Sequence, residues 1–169
     1  RNGQKVDIAL VDIVRTRQLW RGSQAVWDPD VVAEVLLTWA HPAHVGLASL
    51  GGNLCPTGRE DPWGLHIRLD QSDRDNPTSH SVRVPVHFVP GHFEELPVSG
   101  WRRIPVQQSV QLASGGMLAL DGERIYHVDG LSWMARLRAA GPFVLDPIRV
   151  LEQRVKAWQG VGVAQWHER

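Results

Sequence analysis

Two acidic side chains, Asp121 and Glu123, stand two residues apart just after an apolar run, within residues 114–124, SGGMLALDGER. A strand that ends in a turn could present both carboxylates together, where they could bind a divalent cation or act as a general base. The same Asp-Gly pair is a strong signal for a tight β-hairpin turn, in which both residues serve backbone geometry alone. The spacing by itself favours the hairpin.

A second candidate site lies in residues 51–60, GGNLCPTGRE. Its glycines and its Pro-Thr-Gly-Arg sequence could form a nest of backbone N–H groups for a phosphate or a carboxylate. The predicted substrate-binding residues are Gly51, Gly52, Asn53, Thr57, Gly58 and Arg59. A packed irregular loop is the competing interpretation, and residue types alone favour it.

Other common chemistries find little support in the sequence. His41 and His44 are three residues apart, but Pro42 breaks the helix that would bring them to one face, and no third ligand is evident, so we predict no metal site. A Gly-x-Ser-x-Gly elbow does not occur. The basic clusters at residues 101–103 and 136–138 are interpreted as solvated strand faces rather than phosphate contacts.

Composition excludes several classes of partner. The 169 residues carry 18 basic and 18 acidic side chains, so net charge gives no reason to expect nucleic acid as a partner. Apolar runs such as residues 31–40 fall far short of the roughly 20 residues that cross a bilayer, so we predict no transmembrane segment. Cys55 is the only cysteine; it precludes an internal disulfide and suits a cytoplasmic location.

The chain alternates short apolar runs with turn residues over most of its length. Residues 28–40, DPDVVAEVLLTWA, combine an Asp cap, a Pro at the first helical position and helical apolar spacing, which predicts a helix. A second helix is predicted from Asp146-Pro147 onward. Residues 71–81 are polar and predict a surface loop. Strands are predicted at residues 5–14, 18–26, 45–50, 64–69, 81–89, 104–112, 117–120 and 124–128.

These elements predict a mainly β fold, a β-sandwich or barrel-like pair of sheets with two peripheral helices. We expect a single β-rich domain over residues 1–169, with residues 146–169 as a helical tail.

The motif SGGMLALDGER resembles the LALDGE-type motif in the C-terminal domain of ATP-NAD kinases of the acetoin-catabolism X type and of diacylglycerol and sphingosine kinases. Four other segments resemble the ATP-NAD kinase branch in the same order: KVDIALVDI, GSQAVWDPDVVAEVLLT, HVGLASLGGNLCPTGREDPWGLHIRL and VHFVPGHFEEL. The resemblance covers most of the chain, from Lys5 to about Arg124.

The resemblance implies a two-domain kinase. Its N-terminal α/β domain would carry a GGDGT phosphate-binding loop, and a C-terminal β-sandwich of the NAD kinase and diacylglycerol kinase type would close the cleft. Asp121 would be the base toward an acceptor hydroxyl, Glu123 a partner or metal-proximal acid, and the loop at residues 51–60 would face the cleft. ATP and Mg are the cofactors expected for the full-length kinase, with NAD or a lipid-like alcohol as acceptor.

The sequence departs from the family pattern in one respect: GGDGT is absent, and Gly51-Gly52-Asn53 is its nearest string. The triphosphate then has no cradle of N–H groups, so we expect this chain alone to be inactive and a nucleotide-binding domain to be its missing partner. The start at Arg1 likewise suggests a piece of a longer protein. The alternatives are a non-catalytic ligand-binding or homo-oligomerisation module of the same fold, and an unrelated β-sandwich whose hairpin matches by chance.

Overall fold

The computed structural model describes residues 6–17, 29–70, 81–128, 130, 132–141 and 146–159. The chain divides into two compact units, Arg1–Ala139 and Ala140–Arg169. The described strands of the first unit are β1 (Asp12–Thr16), β2 (Val32–Leu37), β3 (Trp63–Leu69), β4 (Val82–Val89), β5 (His92–Pro105), β6 (Ser109–Leu112), β7 (Met117–Leu120), β8 (Arg124–His127) and β9 (Trp133–Arg136). The same unit contains helix α1 (Leu47–Leu54), and the second unit contains helix α2 (Pro147–Gln159).

Seven of the described strands form one antiparallel sheet in the order β4-β5-β3-β2-β1-β7-β8, and β6 and β9 form a two-stranded ribbon. Leu47 and Leu50 of α1 join the apolar cluster on one face of the sheet. Val110 and Leu112 of β6 join the cluster that contains Leu36 of β2. The centre of the sheet is therefore covered by α1 on one side and by the ribbon on the other.

Residues 28–40 were predicted to be helical, and this prediction is wrong: Pro29–Val31 form a short 3₁₀ helix and Val32–Leu37 form β2. All six residues of β2 are buried, because the strand lies in the middle of a sheet covered on both faces. A strand of this kind shows no alternation of polar and apolar residues, so its pattern resembles that of a buried helix.

The strand predicted at residues 45–50 is instead the start of α1. Leu47, Leu50 and Leu54 share one helical face and pack into the apolar cluster, and the helix lies against β2 and β4. The strand predicted at residues 5–14 is confirmed only in its last part, because β1 begins at Asp12. The strand predicted at residues 104–112 is two strands, separated by a turn after Pro105.

Four other strand predictions are confirmed. Strands at 64–69, 81–89, 117–120 and 124–128 correspond to β3, β4, β7 and β8. The Asp-Gly hairpin is confirmed, with β7 and β8 paired antiparallel around it. The strand predicted at residues 18–26 and residues 71–80 of the predicted loop lie outside the described residues.

Two described strands had not been predicted: β9, and β5 apart from its last two residues. The first half of β5 pairs with β4 and the second half with β3, so one 14-residue strand joins two parts of the sheet. Its charged and Gly and Pro positions, such as Glu94, Glu95, Pro97 and Gly100, obscure the strand pattern.

The predicted second helix is confirmed as α2, and the N–H of Arg149 donates to the Asp146 carboxylate (3.0 Å), as expected of an N-terminal cap. The mainly β class with two helices is also confirmed. The first of the two helices is nevertheless α1 rather than the predicted one.

Candidate functional site

Asp121 and Glu123 lie in the turn between β7 and β8. Asp121 has φ 53° and Gly122 has φ 68°, so both residues are left-handed, and the pairing of Leu120 with Arg124 leaves three residues in the turn. Asp tolerates this conformation better than most residues because its short side chain can bond locally. We name Asp7, Asp12, Asp121, Glu123 and Arg124 the acidic turn.

The Asp121 carboxylate is bound by the backbone that precedes β1. It accepts hydrogen bonds from the N–H groups of Leu10 (2.9 Å), Val11 (2.7 Å) and Asp12 (3.2 Å). These N–H groups bond a side chain instead of a neighbouring strand, which explains why β1 begins only at Asp12. Asp121 therefore joins the hairpin turn to the segment before β1.

Arg124 completes this connection from the first residue of β8. Its guanidinium donates to the carboxylates of Asp7 (2.7 Å) and Asp121 (3.2 Å) and to the carbonyl of Ile8 (2.6 Å). The hydroxyl of Tyr126 donates to Asp7 (2.5 Å), and this bond lowers the pKa of the Asp7 carboxyl. The segment at residues 7–12 is thus bound to β7 and β8 through side chains.

Asp12 is an acidic group of this region with a strongly raised pKa. Burial and the nearby Asp121 charge raise the pKa of its carboxyl to about 6, although a backbone hydrogen bond opposes the shift. Its Oδ1 is buried without a hydrogen-bond partner among the described residues. Asp12 is therefore the group of the acidic turn that can exchange a proton near neutral pH.

Glu123 differs from Asp121 because its side chain is exposed and has no hydrogen-bond partner among the described residues. Its backbone N–H closes the turn by donating to the Leu120 carbonyl (3.0 Å). The two predicted catalytic acids are thus neighbours with different surroundings: the Asp121 carboxylate is bound by the protein, and the Glu123 carboxylate faces solvent. Their catalytic roles stay predictions.

The predicted substrate-binding residues are divided between two structures. Gly51, Gly52 and Asn53 belong to the last turns of α1. A Cβ on Gly52 would lie 2.2 Å from the backbone of His41 and Pro42, and one on Gly51 would lie 2.4 Å from Leu37. Close packing of α1 against its neighbours explains these glycines, while the Asn53 amide donates to the Pro85 carbonyl (2.7 Å).

Thr57, Gly58 and Arg59 follow in the loop after α1. Thr57 is buried and bridges to Ala40 through paired backbone hydrogen bonds of 2.9 Å. The N–H of Gly58 donates to Asp61 (2.7 Å), and the Arg59 guanidinium lies 5.1 Å from the Trp39 ring centroid. The backbone N–H groups of Thr57 and Gly58 are thus bound by the protein itself. Substrate binding here stays a prediction.

A second polar group, which the sequence reading missed, lies across the centre of the sheet. Glu34 of β2 pairs in register with Arg15 of β1 and with Arg68 of β3. His66 pairs with Leu36, two residues from Glu34, and with Arg102 of β5. Residues that face each other across strands share one face of a sheet. We name Arg15, Glu34, His66, Arg68 and Arg102 the Glu34 cluster.

Glu34 is only 1% exposed, yet both of its carboxylate oxygens have partners. Oε1 contacts His66 Nε2 (2.5 Å) and lies 3.7 Å from Arg68 Nε. Oε2 accepts from Arg15 Nε (3.1 Å) and from the Ala113 N–H (3.2 Å). Burial raises the pKa of Glu34, but the hydrogen bonds from His66, Arg15 and Ala113 outweigh it and lower the pKa to about 2.

His66 connects the buried carboxylate to an exposed arginine. Arg102 Nε donates to His66 Nδ1 (3.3 Å), and a guanidinium can only donate. The ring proton therefore sits on Nε2, where it is donated to Glu34. This chain of bonds orients the Arg102 guanidinium, which with Arg68 lines an open cleft also bordered by Gln111, Ala113, Ser114, Gly130 and Ser132.

The two polar regions lie at opposite ends of β1 and β7. Asp12 and Arg15 are three residues apart on β1, about 10 Å at 3.3 Å per residue. Ser114 precedes β7 and Asp121 follows it. The two ends of the motif SGGMLALDGER therefore serve different regions, although they adjoin in sequence.

A signal for the Glu34 cluster exists in the sequence but needs the strand assignment. Glu34, His66 and Arg102 each interrupt a mostly apolar or aromatic run, and only the pairing of β2, β3 and β5 brings them together. Because residues 28–40 were predicted to be helical, nothing in the sequence placed Glu34 beside His66.

The described residues contain neither a candidate metal site nor a helix that could span a membrane. No group of three or more His, Cys, Asp or Glu side chains there is arranged to hold a metal ion. Within the same residues, no helix combines the length and the apolar character that spanning a membrane requires.

Comparison with known proteins identifies the family of the chain. The family model described as "Acetoin catabolism protein X C-terminal domain" matches residues 1–140. The chain is 35% identical over 123 residues to acetoin catabolism protein X of Cupriavidus necator, covering 72% of this chain and 33% of that protein. The chain thus spans about a third of that relative's length, and no solved structure gives a significant match. From the match over residues 1–140 and this identity, the chain belongs to the family of acetoin catabolism protein X C-terminal domains.

Proposed function

We propose that the chain is the acceptor-side domain of a two-domain phosphotransferase similar to NAD kinases. A separate GGDGT-bearing domain would bind ATP and Mg, and this domain would present the acceptor hydroxyl. Membership of the acetoin catabolism protein X family, and a match that covers 33% of the relative, support a role as one domain of a larger protein.

The observation that carries the proposal is the contrast between the two acids of the β7–β8 turn. Three backbone N–H groups and Arg124 bind Asp121, which fixes the position of the turn. Glu123 then projects an exposed carboxylate from a fixed backbone, as a base that orients a hydroxyl requires. We therefore propose Glu123 as the base and Asp121 as the residue that positions it.

NAD is the acceptor we favour, because residues 27–30 and 58–69 resemble the NAD kinase branch more than the lipid kinases. We thus propose both that NAD is the acceptor and that the full-length protein phosphorylates it.

The test begins with the coding sequence upstream of Arg1. If it encodes a GGDGT-bearing domain, the longer protein is assayed for ATP-dependent phosphorylation of NAD. Glu123→Gln should then lower kcat by about 100-fold or more, as loss of a general base does. Glu152→Gln, on the α2 helix, is the matched control and should leave kcat unchanged. Wild-type activity in Glu123→Gln would refute the assignment of the base.

A second candidate, a non-catalytic binding module of the same fold, is favoured by the same Asp121 geometry. A carboxylate bound by three N–H groups explains why Asp follows the LAL sequence without any catalytic role. If the longer protein binds NAD but transfers no phosphate to it from ATP, the result would support this candidate over the kinase.

A further inference from the structure

The cleft beside the Glu34 cluster is a site that the proposed phosphotransfer does not use. Arg68 and Arg102 line it, and Ala113 and Ser114 border it. It lies at the opposite end of β1 from the acidic turn. We infer that this cleft binds an oxyanion, specifically the phosphate group of a small phosphorylated ligand.

The balance of charge in the cluster supports an anionic ligand. The Glu34 cluster contains three guanidinium groups and one carboxylate: Arg15 and Arg68 contact Glu34 directly, and Arg102 contacts it through His66. Arg15 uses its Nε on Glu34 and its Nη1 on the Gly115 carbonyl (3.3 Å), so its charge is directed inward. Arg68 and Arg102 are exposed and carry the excess positive charge to the cleft.

The arrangement of bonds also orients the exposed guanidiniums. Among the described residues, each contacts the protein through Nε: Arg102 Nε donates to His66 (3.3 Å), and Arg68 Nε forms an ion pair with Glu34 (3.7 Å). The Nη groups, the part of the fork that binds a phosphate or carboxylate, have no partner among the described residues and belong to arginines that line the cleft. An arginine already held at Nε loses less rotational freedom on binding than a free one.

The polar rim fits a ligand with several acceptor oxygens. Ser114 and Ser132 are exposed at the cleft and each offers a hydroxyl donor. Four or more donors around one cleft match a phosphate, which has more acceptor oxygens than a carboxylate. The segment at residues 113–115 is bound to Glu34 and Arg15 through the Ala113 N–H and the Gly115 carbonyl. Its position is therefore tied to that of the arginines.

The roles within the cluster follow from these contacts. Arg68 and Arg102 would touch the phosphate, whereas Glu34 and His66 would act through them as positioning residues. The inference stands apart from the proposed phosphotransfer, because it concerns binding at different residues and needs no nucleotide domain.

The test is titration of the 169-residue chain with inorganic phosphate and pyrophosphate at constant ionic strength, set with chloride. Two-dimensional ¹H–¹⁵N NMR would follow the amides of Ala113 and Ser114 and the Nε–H of Arg102. We expect saturable shifts at these groups, with pyrophosphate binding more tightly than phosphate. Arg102→Gln and Arg68→Gln should each weaken binding by about tenfold or more.

Arg136→Gln is the matched control, since it removes the same charge from an exposed position at the far end of β9 from Ser132. It should bind as the wild type does. His66→Gln should weaken phosphate binding. It should also shift the NMR signal of the Arg102 Nε–H in the absence of ligand. If the melting temperature is unchanged, a purely structural role of His66 would not produce this shift. Equal binding in Arg102→Gln and Arg136→Gln, or shifts that chloride alone reproduces, would overturn the inference.

Discussion

The acidic turn and the Glu34 cluster both centre on a carboxylate with several N–H donors, but the donors differ in kind. Asp121 is bound mainly by consecutive backbone N–H groups of residues 10–12. Glu34 is bound mainly by the side chains of His66 and Arg15. The backbone donors at Asp121 join two chain segments, whereas the side-chain donors at Glu34 orient further side chains at the surface. The first arrangement shapes a turn, and the second positions arginines at a cleft.

The two regions also differ in how burial acts on their acids. Hydrogen bonds outweigh burial at Glu34 and lower its pKa to about 2, whereas burial dominates at Asp12 and raises its pKa to about 6. The difference lies in the partners, because Glu34 has donors on both oxygens and Asp12 has an unpartnered Oδ1 within the described residues. A buried carboxylate can thus stabilise or destabilise this fold according to its donors.

The largest effect that this comparison predicts is that of Glu34→Ala. Removing the carboxylate leaves Arg15 and His66 facing each other without their shared partner, and loss of one member of a buried ionic group costs about 3–5 kcal/mol. Urea denaturation followed by tryptophan fluorescence measures this loss. Glu123→Ala, at the exposed acid, is the control and should change the free energy of unfolding by less than about 0.5 kcal/mol. Similar losses of unfolding free energy in both variants would show that the buried Glu34 contributes no more to stability than the exposed Glu123.

The difference between wild type and Glu34→Ala should also depend on pH in one direction. The folded pKa of about 2 lies below the ordinary value of 4.5, so the folded state holds the proton less tightly than the unfolded chain. The contribution of Glu34 is therefore full above pH 4.5 and declines as the pH falls toward 2. A difference that stayed constant over this window would show that the charge of Glu34 is not what stabilises the fold.

A smaller loss is expected for Asp121→Ala, about 2–3 kcal/mol, because three N–H groups and Arg124 lose a charged acceptor. Alanine is also disfavoured at the left-handed backbone of this position, φ 53°. Asp121→Asn keeps one carbonyl acceptor and tolerates that conformation, so it should lose only about 1 kcal/mol. Thermal melting of both variants provides the measurement, and equal losses would indicate that the backbone contacts contribute little.

The smallest effect has the opposite sign. The pKa of Asp12 is raised to about 6 from 3.8, so its ionised form destabilises the fold fully above pH 6. Asp12→Asn should therefore stabilise the chain by about 1–2 kcal/mol at pH 7.5, with an advantage that disappears below pH 3.8. Melting temperatures across this range test the sign.

Asp7→Asn is the matched control for Asp12→Asn. Its hydrogen bond from Tyr126 lowers the pKa of Asp7, so neutralising it removes a favourable contact and should not stabilise the chain. Stabilisation by both substitutions would point to a general excess of negative charge rather than to burial of Asp12.

Local patterns predicted the elements that depend on neighbouring residues. The Asp121-Gly122 turn and the Asp146 cap could be predicted from the sequence, because each depends on one or two residues and their backbone conformations. Strands with alternating burial, such as β4, could likewise be predicted from the sequence. β2 was not, because a strand covered on both faces has lost the alternation that marks it.

By itself, the sequence determined the mainly β class, the hairpin that carries Asp121 and Glu123, and the likeness of its motifs to one family. Only the tertiary structure decided what the charged residues do. Glu34, His66 and Arg102 lie 32 to 68 residues apart and meet because β2, β3 and β5 are neighbours in the sheet. Asp121 likewise meets residues 10–12 across more than a hundred residues of chain. Contacts between residues so distant in sequence depend on the order and register of strands, which no local pattern encodes.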